Sequence, residues 1–193
     1  MEAINLNRDI AEEYEITSAV GNFLSWDETG GAYIIEKYGK AGLSKILDTR
    51  KCFHSNLLRQ DLEKILGLKV SPDFSEPTKS YIFSVMQGFS NPNHVIRCAN
   101  MVAFELHAKT IIEELWKGIC KHFNCRADEL IYFKTHVGDD DPAEEYHINM
   151  VYEMINKIVP EEQEELFLTT TTKALNDHLN WSSLIAKSVL NKS

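Results

Sequence analysis

The stretch YFKTHVGDDDPAEEYH, residues 132–147, holds two histidines, three consecutive aspartates and two glutamates. Within it, Asp141, Pro142 and Glu144 are typical of a helix start, as N-cap, first helical residue and capping-box acid. Apolar residues then recur at steps of three and four, which predicts that His147 lies on the buried face of a helix. The stripe consists of Ala143, Ile148, Val151, Met154, Ile155 and Ile158.

The remaining sequence also predicts helices, and no convincing run alternates with period two. Gly67 and Pro160 mark predicted helix ends. Seven or eight helices joined by short loops are typical of an all-α compact bundle, here a single domain over residues 1–193. The predicted helices span residues 6–26, 32–38, 43–66, 78–89, 95–123, 126–136, 142–158 and 161–190.

Composition excludes several functional classes. A net charge of −9 argues against binding to a phosphate backbone, so no nucleic-acid partner is expected. No stretch approaches the ~20 apolar residues of a membrane span, and residues 1–9 lack the apolar core of a signal peptide. The chain is therefore expected to be cytoplasmic and not to bind membranes. The four cysteines lack CxxC spacing, and nothing in their spacing marks any of them as reactive: Cys52, Cys98, Cys120 and Cys125.

Histidines and carboxylates on apolar faces suggest a metal site. Glu105 lies in an apolar row of the predicted helix 95–123, where an ionised carboxylate is costly unless it is paired or bound to metal. The structural alternative is an edge glutamate paired with Lys109. His54 lies among apolar residues of the helix 43–66, with Asp48 close to the same face. Imidazole and carboxylate together are the ligands of redox-active iron or manganese.

Other catalytic motifs are missing. The sequence has no Gly-x-Ser-x-Gly elbow, no phosphate loop after Gly30-Gly31 and no His-Glu-x-x-His. The Glu-x-x-His of ferritin-like proteins occurs once, ending at His147, where two copies are expected. The aspartates at 139–141 lack the spaced ligands of an EF-hand.

Three segments resemble the haem-oxygenase-like superfamily, the fold of TenA-like thiaminases, PqqC-like oxidases and haem-oxygenase-like di-iron oxidases. Residues 103–108, AFELHA, are similar to the central glutamate motif of the di-iron group. His136 and Asp140 match its late His–x3–Asp motif, and residues 174–181 look like its closing aromatic helix. The resemblance covers roughly residue 40 to the end.

Two departures from that family concern its ligands. The second late histidine is expected about one turn after Asp140, but His147 follows by seven residues. The early Glu–x6–His pair is missing, because Leu47 stands seven residues before His54. A mono-metal or metal-free relative therefore remains an alternative.

The resemblance implies a non-haem iron enzyme, with two ions if the site is complete and manganese as a further option. Such an enzyme would activate dioxygen to oxidise a small organic substrate, and the chain would be a homodimer. The alternatives are a metal-free binding or interaction protein on the same bundle and a TenA-like hydrolase. The candidate metal ligands are Glu105, His136, Asp140, His147 and His54, with Asp48 or Glu144 as a further carboxylate. The candidate substrate pocket consists of Phe83, Met86, Met101 and Phe104.

Overall fold

A computed structural model describes residues 8–39, 53–72, 74–137 and 144–190 of the chain. The described parts are helical and contain no strand, so the predicted all-α class is confirmed. Short 3-10 turns lie at Ala127–Glu129 and Glu161–Gln163. The α-helices in these ranges are α1 Arg8–Glu28, α2 Gly31–Tyr38, α3 His54–Leu66, α4 Glu76–Phe89, α5 His94–Phe123, α6 Ile131–Val137, α7 Glu144–Ile158 and α8 Glu164–Leu190.

Local signals explain several helix ends. Gly67 adopts a left-handed φ of 65° and donates its N–H to the Glu63 carbonyl, so α3 ends where the sequence predicts. The Asn93 side chain accepts N–H bonds from Val95 and Ile96 and caps α5. Gly30, with a φ of 80°, separates α1 from α2.

Two predicted helices begin later than expected. The sequence predicts a helix from residue 126, but α6 begins at Ile131 after a 3-10 turn. The Asp61 carboxylate fixes this start because it accepts the N–H groups of Ile131 and Tyr132. The sequence predicts the last helix from residue 161, but residues 161–163 form the 3-10 turn that precedes α8.

The chain contacts divide into two compact units. Unit 1 comprises residues 1–20, 72–106 and 150–193, and unit 2 comprises residues 21–71 and 107–149. Helices α1, α5 and α7 each contribute residues to both units, so the units are not successive segments. The single domain over residues 1–193 stays a prediction.

Unit 1 has its buried core on α5 and α7. Val95, Cys98 and Val151 are completely buried, and Val151 belongs to the apolar stripe predicted for α7. Helices α4 and α8 pack together through an aromatic and polar contact. Tyr81 stacks on Trp181 with ring centroids 4.9 Å apart, and its hydroxyl lies 2.8 Å from His178 Nδ1.

Unit 2 positions the candidate site through the packing of α3 against α6. Phe133 and Leu130 are its largest fully buried side chains. Trp116 of α5 stacks on Phe133 with a centroid distance of 6.2 Å.

None of the helices in the described ranges has both the length and the apolar composition needed to cross a membrane.

Candidate metal centre

Three side chains of unit 2 bring potential ligand atoms together. They come from the end of α1 (Glu28), the start of α3 (His54) and α6 (His136), and one donor atom of each lies within 4.8 Å of the other two. His54 Nδ1 is 3.0 Å from Glu28 Oε2, a close contact without the direction of an ideal hydrogen bond. His136 Nε2 is 4.0 Å from Glu28 Oε1.

These distances suit one metal ion. Two atoms that each lie about 2.1 Å from an ion can be at most about 4.2 Å apart. The Glu28 separations of 3.0 and 4.0 Å meet this limit, and binding would require the remaining separation, within 4.8 Å, to close to it. Two imidazoles and one carboxylate therefore fit a divalent cation by both chemistry and spacing.

The His136 ring is held in the orientation that metal binding requires. Its Nδ1 donates a hydrogen bond of 2.8 Å to the Tyr132 carbonyl, one turn earlier on α6. A neutral imidazole with Nδ1 protonated carries its lone pair on Nε2, the atom that faces Glu28. Ligand histidines commonly have a backbone carbonyl on the second nitrogen, because it fixes tautomer and ring direction.

The two histidines are buried and Glu28 is not. His54 and His136 are 6% and 7% exposed, with ring centroids 4.5 Å apart, whereas half of the Glu28 side chain is exposed. Burial alone would raise the pKa of Glu28. The close contact with His54 and the charges of His54, His136 and His147 outweigh it and hold this pKa below its usual range. Glu28 is therefore ionised and forms the solvent-facing side of the cluster.

A second imidazole–carboxylate pair, His147 and Asp27, lies near the cluster, because the charge of His147 acts on Glu28. His147 Nε2 donates to Asp27 Oδ2 at 2.9 Å, and both side chains are buried. Within the described parts of the chain, the other Asp27 oxygen, Oδ1, is also buried and has no hydrogen-bond partner. A buried carboxylate oxygen without a donor is costly, so a cation would be favourable there.

The structure places the predicted ligands as follows. His54 and His136 lie together, and His147 is buried in the adjacent pair with Asp27. Glu105 is half-buried on α5 in unit 1, and its part in the site stays a prediction. Asp48, Asp140 and the side chain of Glu144 lie outside the described residues, as do the predicted cap at Asp141 and the first part of the helix 43–66.

The predicted substrate-pocket residues all belong to unit 1. Met101 is buried, but Phe83, Met86 and Phe104 are 63%, 59% and 44% exposed. Phe104 contacts Phe89 edge to face, with ring centroids 5.9 Å apart. A substrate pocket at these residues stays a prediction.

The sequence predicts that the first helix ends at residue 26, so it does not indicate Asp27 and Glu28 as site residues. A signal was present, because Thr17, Val20, Leu24 and Asp27 follow one another at steps of three and four residues. Asp27 therefore continues the apolar stripe of α1, the same pattern that singled out His147. It is 1% exposed.

Asp61 is predicted to support the centre by fixing the start of α6. Burial raises the pKa of Asp61 although backbone N–H groups stabilise its charged form. Asp61→Ala removes the acceptor of two N–H bonds and should lower the free energy of unfolding by about 1–2 kcal/mol, measured in urea. Asp128→Ala, which removes an exposed aspartate near α6, should change it by less than about 0.5 kcal/mol. Equal stability of Asp61→Ala and wild type would contradict this role.

The lowered pKa of Glu28 predicts a pH effect in the metal-free protein. An acid with a depressed folded-state pKa stabilises the fold above its unfolded pKa, here near the ordinary value of 4.5. This contribution is lost as the pH falls through the folded-state pKa. Because Glu28 is half exposed, we expect it to be below about 1 kcal/mol.

Urea unfolding between about pH 3 and pH 7 would measure this effect, because this range includes the ordinary pKa of the side chain. Wild type should lose its advantage over Glu28→Gln below the ordinary pKa. Glu153→Gln, at an exposed position of α7, is the matched control and should follow wild type. A constant difference between wild type and Glu28→Gln across the range would contradict the predicted coupling.

The fold and the cluster define an all-α protein with a candidate two-histidine, one-carboxylate metal centre. No family model, curated protein or solved structure matches the chain. The resemblance to the haem-oxygenase-like superfamily therefore stays a prediction.

Proposed function

We propose that the chain is a non-haem iron oxidoreductase that binds Fe(II) on Glu28, His54 and His136 and uses dioxygen to oxidise a small organic molecule. The supporting observation is the cluster of two buried imidazoles and one half-exposed carboxylate, with His136 fixed in a ligand tautomer. This donor set is characteristic of non-haem Fe(II) oxygenases. Manganese(II) accepts the same ligands and is the second candidate.

The residues have separate tasks in this proposal. His54 and His136 bind from the buried side and keep water from that side of the ion. Glu28 offsets one positive charge and lies at the solvent-facing side, where substrate and dioxygen would enter. When bound, ferrous iron supplies the electrons for dioxygen chemistry, which side chains alone do not provide.

The Asp27–His147 pair supports a place for a second ion. Its buried carboxylate oxygen Oδ1 offers one further ligand atom, and His147 Nε2 would become a second one on losing the proton that it donates to Asp27. A dinuclear centre would load about two irons per chain and a mononuclear centre about one. His147→Ala separates the two cases, because it reduces the iron content only in the dinuclear case.

Anaerobic loading with Fe(II), followed by desalting and metal analysis, tests the proposal. We expect at least about one iron per chain, and dioxygen consumption that requires the loaded iron. Glu28→Gln should lose the iron, and Glu153→Gln, an exposed change on α7, should keep it. A wild-type protein that retains neither iron nor manganese would instead support a metal-free binding protein. Light scattering on the same samples tests the proposed homodimer.

A further inference from the structure

The end of α5 brings two cysteines together. Cys120 lies in the last turn of this helix, and Cys125 follows two residues after its end at Phe123. Between them, Asn124 has a left-handed φ of 50°, a conformation that ends helices and turns the chain back. The Cys120 thiol lies within hydrogen-bonding reach of the Cys125 thiol. Both thiols are free and half-buried.

The third described cysteine provides a contrast. Cys98 is completely buried in the core of unit 1, and burial raises the pKa of its thiol to about 12. A thiol that is buried and protonated does not react with solutes, because the thiolate is the nucleophile. Cys98 is therefore an internal control for the reactivity of the other two.

We propose that Cys120 and Cys125 are a redox-active dithiol that forms an intramolecular disulfide by exchange with a low-molecular-weight disulfide. The left-handed turn at Asn124 and the contact between the two thiols bring the cysteines close together, which a disulfide requires. The inference does not depend on metal binding, because neither cysteine belongs to the candidate centre.

The exchange has two balanced steps. The thiolate of one cysteine attacks the small disulfide, forms a mixed disulfide and expels one small thiolate. The second cysteine, as thiolate, then attacks the protein sulfur of the mixed disulfide and expels the other small thiolate. The two protein thiols lose two protons and two electrons, and the small disulfide becomes two thiols.

The environment of Cys120 sets the pH dependence. Burial raises the pKa of Cys120, and the hydrogen bond and charge of Cys125 raise it further. Because only the thiolate attacks, oxidation should be slow near neutral pH and become faster as the pH rises. The resulting bond would fix the loop that connects α5 to α6, the helix that carries His136.

Oxidised glutathione tests the proposal on the full-length native protein. After alkylation of the remaining thiols, trypsin should cut after Lys117, Lys121 and Arg126 and separate the two cysteines. We expect a disulfide-linked pair of the peptides 118–121 and 122–126, lighter by two hydrogens than the sum of the reduced peptides, and unmodified Cys98. Reduction should restore both free peptides.

Single substitutions identify the mechanism. Cys120→Ser and Cys125→Ser should each lose the linked peptides and retain a glutathione adduct on the remaining cysteine. Cys98→Ala should still form the pair. Stable glutathione adducts without the linked peptides in wild type would overturn the proposal, as would two unmodified thiols at high pH. Because wild type alone gives the decisive result, a variant that fails to fold does not affect it.

Discussion

Replacing Phe133 with alanine is expected to lower the free energy of unfolding by about 3–5 kcal/mol. The Phe133 side chain is fully buried in unit 2 and stacks on Trp116. It also contacts Tyr132 edge to face, with ring centroids 5.2 Å apart. Truncation removes these contacts and leaves a cavity next to α5. Helix α6 cannot easily move to close this cavity, because Asp61 binds the N–H of its first residue, Ile131.

Ile131 provides the matched control on the same helix. Its side chain is 53% exposed, so Ile131→Ala should cost less than about 1 kcal/mol in the same urea titration. If both variants lowered the free energy of unfolding by similar amounts, the buried face of α6 that carries Phe133 would contribute no more to stability than its exposed face. A small loss for Phe133→Ala alone would contradict its place in the core.

Replacing His136 with alanine is expected to weaken Fe(II) or Mn(II) binding by at least about 100-fold, because loss of an outer-shell partner alone costs about 10–100-fold. The fold should survive. His136 lies against the half-exposed Glu28, so water can fill the space left by the imidazole. Equilibrium dialysis gives the affinity, and thermal unfolding of the metal-free variant gives the stability.

His122→Ala is the control for this experiment, since His122 is an exposed histidine in the last turn of α5. It should bind metal as wild type does. If His136 is instead a structural histidine, His136→Ala should retain its metal affinity. It should then lose about 1–3 kcal/mol of stability, because the Tyr132 carbonyl loses its side-chain partner.

Helical periodicity predicted the features that depend on one element. The stripe of α7 is buried at Val151, Met154 and Ile158, and His147 lies on the same face. Cys98 lies in the core, and α3 ends at the predicted Gly67 stop. Each of these results follows from the position of a residue on its own helix, which spacing alone determines.

Features that depend on contacts between distant elements were not predictable in the same way. Glu28 meets His54 and His136 only because three helices from separate parts of the chain converge. Spacing within the predicted helix 43–66 relates His54 only to carboxylates of the same helix, such as Asp48, and not to Glu28. The delayed start of α6 has the same origin, because Asp61 is 70 residues away from the Ile131 amide that it binds.

X-ray absorption spectroscopy of the Fe(II)-loaded protein tests the central claim most directly, because outer-shell scattering reports the imidazoles around the ion. The proposed centre predicts two histidine ligands with the remaining ligands oxygen, and one imidazole fewer in the residual iron of His136→Ala. A second ion bound by His147 would lower the average to about 1.5 imidazoles per iron, and His136→Ala would then lower it by about a further 0.5. Bound iron without imidazole scattering, or with identical scattering in wild type and His136→Ala, would contradict the metal centre on Glu28, His54 and His136.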